Sequence, residues 1–330
     1  MALTLEEAKV GYADKVEQNV IDEFRRSSIL LDKLTFDDTI SPTGGSNLVY
    51  GYQRLETPST ASVRQINSEY SPNEAKRTKC TASPVILGGS FKIDRVIAQT
   101  SGAINEMDFQ IKEKTKAGAN YFHNLVINGT SASSGTGYVP NTFDGLKKIL
   151  TGKSTEMTTD IDISTSALLD SNYNALLDEL DTFIALLAAK PDVLMMNSKM
   201  LTKVKSAARR AGYYDRNKDD FGRTVETYNG IILMDAGQYY NGSTTEDVVS
   251  TSTPSSDAYG TTDIYAAKLG LDAFHGISVD GSKMLKTYLP DLQAPGAVKT
   301  GEVELIAGAV LKNSKMAGVL KGIKLLGKTA

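Results

Sequence analysis

The stretch from Tyr50 to Cys80 constrains this chain more than any other, because it cannot fold on its own. Leu48-Val-Tyr50-Gly-Tyr52 and Ala61-Ser-Val63-Arg64-Gln-Ile66 alternate as strands do, but Pro58, Pro72 and many Ser and Thr residues interrupt them. Its charges are Arg54, Arg64, Lys76, Arg77 and Lys79 against Glu56, Glu69 and Glu74. With so few large apolar side chains it has no core of its own, and an isolated hairpin is marginal in water. Two readings stay open: a long two-stranded arm lying over another surface, or an ordinary long surface loop.

The rest of the chain is conventional. It has 330 residues, 41% hydrophobic and 23% charged, which excludes a disordered, collagenous or coiled-coil chain and suggests about two folding units. Residues 5–31 carry Leu5, Ala8, Tyr12, Val16, Val20 and Phe24 at helical spacing. Such a terminal helix must pack on its own body or on a neighbouring subunit. Val85-Ile-Leu87-Gly88-Gly89 and Phe91 to Ile97 read as strand, Gly-Gly break, strand. Residues 103–127 form the clearest helix, with Ile104, Met107, Ile111, Gly118, Phe122 and Leu125 on one face and Asn128-Gly129 as a left-handed stop. At 1.5 Å per residue it is roughly 37 Å long.

Beyond residue 145 the pattern is mixed α/β. A helix over 172–188 precedes a buried-type strand, Asp192 to Met196, and Asn197-Ser198 cap a helix through Arg210. A charged loop from Arg209 to Gly222 follows, then strands at 231–234 and 264–267 with a mobile Ser/Thr tract, 241–262, between them. Two β-rich runs, 302–311 and 316–325, end the chain.

The search for chemistry yields little. Cys80 is alone, so no internal disulfide forms and nothing argues for an oxidising compartment. No signal-peptide pattern and no apolar run near the ~20 residues of a bilayer span is present, which points to an intracellular product. His123, in the long helix, and His275, in a loop, are too few and too scattered for zinc, and no nucleophile elbow or Cys/His pair accompanies them. They read as solvated or packed histidines.

Gly152-Lys153-Ser154 lacks the first glycine of a phosphate loop, where Lys147 stands. Asp160-Ile-Asp162-Ile-Ser164 has Thr165 in place of the turn glycine and Ser171 in place of the bidentate glutamate of a calcium loop. Asn128-Gly-Thr130 and Asn241-Gly-Ser243 are glycosylation sequons by pattern only. No cofactor or metal is expected, and no catalytic residue. Net charge is −3, with 36 basic against 39 acidic residues, which nearly cancels the electrostatic term of general nucleic-acid binding. Arg209, Arg210, Arg216 and Lys218 interleave with Asp215, Asp219 and Asp220, a pattern suited to self-complementary pairing with another subunit. A structural subunit that buries its protrusions against copies of itself fits these features.

At this level the residues resemble the major capsid proteins of tailed bacteriophages, with the Hong Kong 97-type fold. Val20-Ile-Asp-Glu-Phe24 through Ser28-Ile-Leu-Leu31 and Leu34-Thr-Phe36 look like the family's N-terminal arm. Tyr50-x-Tyr52-x-Arg54 and Val63-Arg64-x-Ile66-Asn67-x-x-Tyr70 are similar to its extended loop. Ile86-Leu87-Gly88-Gly89 with Asp94-Arg95 resembles the strand leading into the spine helix. Ile127-Asn128-Gly129 and Phe143-Asp144-Gly145-Leu146 resemble the exit from that helix.

The resemblance implies an α+β chain with an N-terminal arm (1–45), an extended β-hairpin loop (46–88), a peripheral domain with the spine helix (89–146 and 290–330) and an axial α/β domain (147–289). It implies a major capsid protein, not an enzyme, that self-assembles into pentamers and hexamers of an icosahedral head enclosing double-stranded DNA, in the virion and assembled in the host bacterial cytoplasm. An encapsulin shell is the second reading, and an enzyme using unrecognised Asp, Tyr or Lys side chains the third. The extended loop begins near residue 46, which leaves no room for a cleaved scaffolding segment, so a separate scaffolding protein is expected besides a portal protein and decoration proteins. Some relatives crosslink an extended-loop lysine to an asparagine; Lys76 and Lys79 lie there, but no matching asparagine or acid is found and no crosslink is expected. The inter-subunit candidates are Arg54, Glu56, Arg64, Lys76, Arg77, Arg209, Arg210, Asp215, Asp219 and Asp220.

Overall fold

The computed structural model describes residues 28–39, 49–99, 106–131, 142–212, 215–218, 224–279 and 285–328. In chain order they form α1 (Ile29–Lys33), β1 (Phe36–Asp38), β2 (Tyr50–Thr57), β3 (Lys76–Ala82), β4 (Val85–Asp94), α2 (Arg95–Gln99), α3 (Glu106–Asn128) and α4 (Leu146–Leu150). Then come β5 (Glu156–Thr158), α5 (Ser166–Ala185), β6 (Val193–Met196), α6 (Ser198–Ala211), β7 (Asp215–Lys218), β8 (Thr224–Tyr228), β9 (Ile231–Asp235), β10 (Gln238–Tyr240), β11 (Thr245–Asp247) and β12 (Gly260–Ala267). The chain closes with β13 (Phe274–Ser278), β14 (Leu285–Tyr288), β15 (Val298–Leu311) and β16 (Ala317–Leu326).

One sheet runs β1-β13-β15-β14, with β4 along the other side of β15; β1 is parallel to β13 and the remaining pairs are antiparallel. The helix α3 lies on it. In β4, Val85, Leu87, Phe91 and Ile93 point inward while Ile86, Ser90 and Lys92 face solvent, the period-2 pattern of a half-covered sheet. A second sheet has the order β5-β16-β12-β6-β9-β8-β7 and is buried on both faces at its centre. Every residue of β6 is buried: Val193 and Met195 enter the core beneath α3, and Leu194 and Met196 enter the core under α5 and α6. The continuous apolar run at 193–196 is the sequence form of that double burial.

β13 and β14 join β15 in the sheet under α3, and β16 crosses to pair with β12 and β5. The reason lies in the side chains: Ala317 and Val319 fill one core while Leu320, Ile323 and Leu325 fill the other, so β16 suits only a sheet covered on both faces.

Several local expectations are corrected. Of the helix expected over 5–31, residues 1–27 lie outside the described residues. A helix does not run through Ser28, whose backbone is extended and whose hydroxyl accepts from the amides of Leu30 and Leu31 to start α1. Gly88-Gly89 does not break β4. A Cβ on Gly88 would overlap the Val303 carbonyl oxygen, so glycine there permits a close strand approach. The strand ends at Asp94, earlier than the expected Ile97.

In α3 the inward face is Ile111, Thr115, Ala119, Phe122 and Val126, whereas Gly118 meets open space. The Arg209–Gly222 loop contains β7, paired with β8. The 241–262 tract is pinned: Asn197 Nδ2 donates to Val249 O (3.2 Å), Thr251 Oγ1 (3.0 Å) and Thr262 Oγ1 (2.8 Å), while its Oδ1 caps α6 at Met200 N. His275 lies in a strand, β13.

Gly129 is not left-handed. It ends α3 by donating to Leu125 O at 2.9 Å, and Gly145 N donates to Gly129 O at 2.9 Å. A Cβ on Gly129 would lie 2.5 Å from Leu125 O and closer still to Phe143 O; one on Gly145 would lie 2.6 Å from Ile127 O. The two quoted motifs therefore meet backbone to backbone. Gly129→Ala is expected to destabilise the protein by about 2 kcal/mol or more through overpacking. Gly118→Ala is expected to stabilise it by about 0.5–1 kcal/mol. Urea midpoints that move in opposite directions check both.

Candidate assembly interface

β2 and β3 pair only with each other, from Tyr50↔Ala82 to Thr57↔Lys76, and form a ribbon that joins neither large sheet. Alternation sorts its root. Tyr50, Tyr52 and Arg54 turn toward the body, and Gly51, Gln53 and Leu55 are exposed. The Tyr50 hydroxyl donates to Asp37 Oδ2 at 2.6 Å, and its ring meets the His275 ring edge-on at 5.7 Å. Arg54 donates from Nη2 to Leu311 O (2.7 Å) and from Nε to Lys312 O (3.1 Å), with its guanidinium over the Tyr52 ring. Burial, reinforced by the Asp37 hydrogen bond, pushes the Tyr50 phenol well above its ordinary range. Beside the root is a cavity of about 650 Å³, lined among others by Tyr52, Arg54, Cys80, Asp144, Lys148 and Leu311.

The distal part of the hairpin, 58–75, is exposed throughout. Its tip is nevertheless ordered by its own contacts. Arg64 stacks on Tyr70 at 5.5 Å and donates to Ser68 O at 3.2 Å, Asn67 takes a left-handed φ of 69°, and Thr60 N donates to Asn73 Oδ1 at 3.1 Å. The clasp leaves Val63 100% and Ile66 92% exposed. Single exposed apolar residues are ordinary, but here two nearly bare β-branched side chains stand close together at the end of one ribbon.

The charged candidates among the described residues lie on separate elements. Arg54 is committed to carbonyls of its own chain. Arg210 pairs with Asp170 (2.7 Å) and donates to Ser206 Oγ (2.6 Å). Arg77 donates to Gln53 Oε1 across the ribbon at 3.3 Å, and Lys76 is exposed beside it. Arg64 belongs to the tip clasp, and Arg209 is exposed near the end of α6. Asp215 pairs through its backbone with Thr227 in β7. Glu56 contributes only its backbone to the described structure, and Asp219 and Asp220 lie outside the described residues. Sequence reasoning singled out charges and missed Val63 and Ile66, although both stand in the quoted loop pattern; their signal was an apolar residue in a segment without a core.

Among the described residues no group of three metal-binding side chains occurs, and no helix is long and apolar enough to cross a membrane. The histidines are packed: His123 is buried in α3, where burial pushes its pKa down to about 4, and His275 is buried in β13.

Residues 81–232 match the SU10 major capsid protein family. The encapsulin in the holo-SrpI complex from Synechococcus elongatus PCC 7942 superposes with a TM-score of 0.62 at 11% identity, over 91% of this chain and 89% of that one. The capsid of a native GTA particle gives 0.54 at 12% identity, over 90% of each chain. A chain of Mycobacterium phage Ogopogo gives 0.53 at 13%, over 89% of this chain and 91% of that one. This is the Hong Kong 97-type capsid fold. With the family match, the sequence resemblance to tailed-phage major capsid proteins is borne out. No curated protein sequence matches the chain.

Arg54→Ala is expected to loosen the root without unfolding the sheets, because the bonds lost are two charged hydrogen bonds worth about 1.5–3 kcal/mol each at most. Hydrogen exchange at 50–57 should quicken roughly tenfold or more while β9 is unchanged. His123 binds no proton in the folded chain until about pH 4, whereas the unfolded chain protonates near 6.5, so stability falls as pH drops through that window. The loss is about 3 kcal/mol and should be absent in His123→Leu when denaturation is followed from pH 7 to 4.

Proposed function

We propose that this chain is the major capsid protein of a tailed bacteriophage, a structural subunit that self-assembles into pentamers and hexamers and closes an icosahedral head around double-stranded DNA. The observation that carries the reading is the ribbon whose tip is ordered, apolar at Val63 and Ile66, and unsupported by the described residues of its own chain. Such a tip gains its burial only on another copy. Knob and receiving surface are different patches of one chain, so the contact is head-to-tail and generates rings where the rotation closes. A net charge of −3 per chain spares a many-copy shell from strong self-repulsion. The absence of a basic excess suits an inner wall that encloses nucleic acid without binding its sequence. A separate scaffolding protein, a portal protein and decoration proteins belong with this reading, as do virion location and assembly in the host cytoplasm.

An encapsulin-type compartment is the second reading, supported by the fold match to the Synechococcus encapsulin. The match of 81–232 to a phage capsid family supports the first. Expression with the neighbouring genes and electron microscopy separates them: heads filled with DNA support the first, and shells around a protein cargo the second.

Replacing 58–75 with an Asn-Gly turn, or introducing Val63→Asp with Ile66→Asp, is expected to leave the circular dichroism spectrum and urea midpoint near those of the parent. Particles should vanish from micrographs. Normal particles from either variant would overturn the assembly role of the tip.

A further inference from the structure

A buried imidazole is costly when its nitrogens lack hydrogen bonds. His275 is fully buried, and neither Nδ1 nor Nε2 makes a well-formed hydrogen bond; the Ala273 backbone offers only a weak acceptor. The ring sits beneath the root of the hairpin, edge-on to Tyr50. Charged and titratable groups surround it from each packed element. Asp37 comes from β1, Tyr50 from β2, Asp272 from the turn before β13, and Lys312 from the end of β15 with its ammonium 5.5 Å from the centre of the Tyr50 ring.

We propose that the hairpin root is a proton-operated latch, in which His275 takes up the proton and Tyr50 is the group released. The two sides of the latch differ in freedom. His275 is held in β13 between β1 and β15 and cannot leave. Tyr50 stands on a ribbon with no other strand partner among the described residues, and its neighbours Tyr52 and Arg54 line a cavity of about 650 Å³ that gives the root room to move. A proton on His275 creates a second cation next to Lys312 under the Tyr50 ring. It also gives Asp37, which now accepts from the Tyr50 hydroxyl at 2.6 Å, a charged competitor for that bond. Moving Tyr50 aside admits water to the imidazolium and relieves both.

Burial first, and then the Lys312 charge, hold the His275 pKa below its ordinary 6.5, while Asp37, Ala273 and Asp272 pull more weakly the other way. The closed root therefore binds fewer protons than the open one. The closed form is favoured above the ordinary histidine range and weakens as pH falls through it, by at most tenfold per pH unit for one proton. The His123 linkage weakens the whole fold over part of the same window, so the test is made in a His123→Leu background, which stands as the parent for the His275 and Lys312 variants. The latch is a property of one chain, so its failure and the failure of the capsid reading are separate outcomes.

Hydrogen exchange of the full-length His123→Leu chain between pH 7.5 and 5.0, corrected for the intrinsic pH dependence of exchange, tests it. Protection at 36–38 and 50–57 is expected to fall several-fold to about tenfold per unit below about pH 6.5, with β9 unchanged. His275→Phe keeps an aromatic ring under Tyr50 and should make the profile flat. Lys312→Met removes one cause of the depressed pKa and should make the loss shallower. A flat parent profile, a parallel loss in β9, or a pH dependence that survives in His275→Phe would overturn the latch.

Discussion

A two-stranded ribbon orders its backbone at about 1–2 kcal/mol per residue and, alone in water, recovers little of it. The β2–β3 hairpin therefore depends on its root. Among the described side chains of β2, Tyr50, Tyr52 and Arg54 face inward, and between them they use a hydroxyl–carboxylate bond, ring contacts and two backbone carbonyls of the body. Beyond Leu55 the described contacts of the ribbon are with itself. Its direction in space is thus set by a small polar and aromatic cluster and not by a hydrophobic core. That is why one buried histidine can matter to so large a projection.

The platform beneath is stiffer. The second sheet is shared by both cores, with Met195 and Tyr265 on the α3 side and Leu194 and Ala266 on the α5–α6 side. The exit from α3 is locked by the Gly129–Gly145 backbone contact, which leaves no space for even one methyl group. Native interiors tolerate neither voids nor overlaps cheaply, so displacement at one end of α3 is passed to the sheets and not absorbed.

Much of this was legible in the sequence, and the failures have particular causes. The spacing Tyr50-x-Tyr52-x-Arg54 gave the inward face of β2, and Asn197 announced the start of α6 by its capping chemistry. The glycines misled, because close approach and left-handed turns use the same residue: Gly88 and Gly129 serve the first, Gly212 the second. The Ser/Thr tract looked mobile because its anchors, Asn197 and Thr262, are polar groups far apart along the chain. The sheet that β16 joins was not legible, because a strand buried on both faces carries no label for its neighbours. The charge pattern said least about contacts. Arg210 finds Asp170 on another helix, far back along the chain, and a charge pattern alone cannot say whether its partner is in the same chain.

On the proposed reading, the tip clasp has a thermodynamic purpose. A disordered eighteen-residue loop that folded on its neighbour would have to offset its ordering cost at each contact, which lowers affinity for a given buried area. Here Arg64 on Tyr70, Asn73 on Thr60 and the left-handed Asn67 meet part of that cost inside the free chain. Val63 and Ile66 can then dock with little further loss of freedom. The same argument explains why the clasp is polar while the knob is apolar. Polar contacts within the tip keep its shape in water, and the two apolar side chains gain only when water is removed by another surface. A contact built in this way is weak singly and favourable when repeated around a closed ring, which suits a shell whose subunits must be able to dissociate from wrong positions before closure.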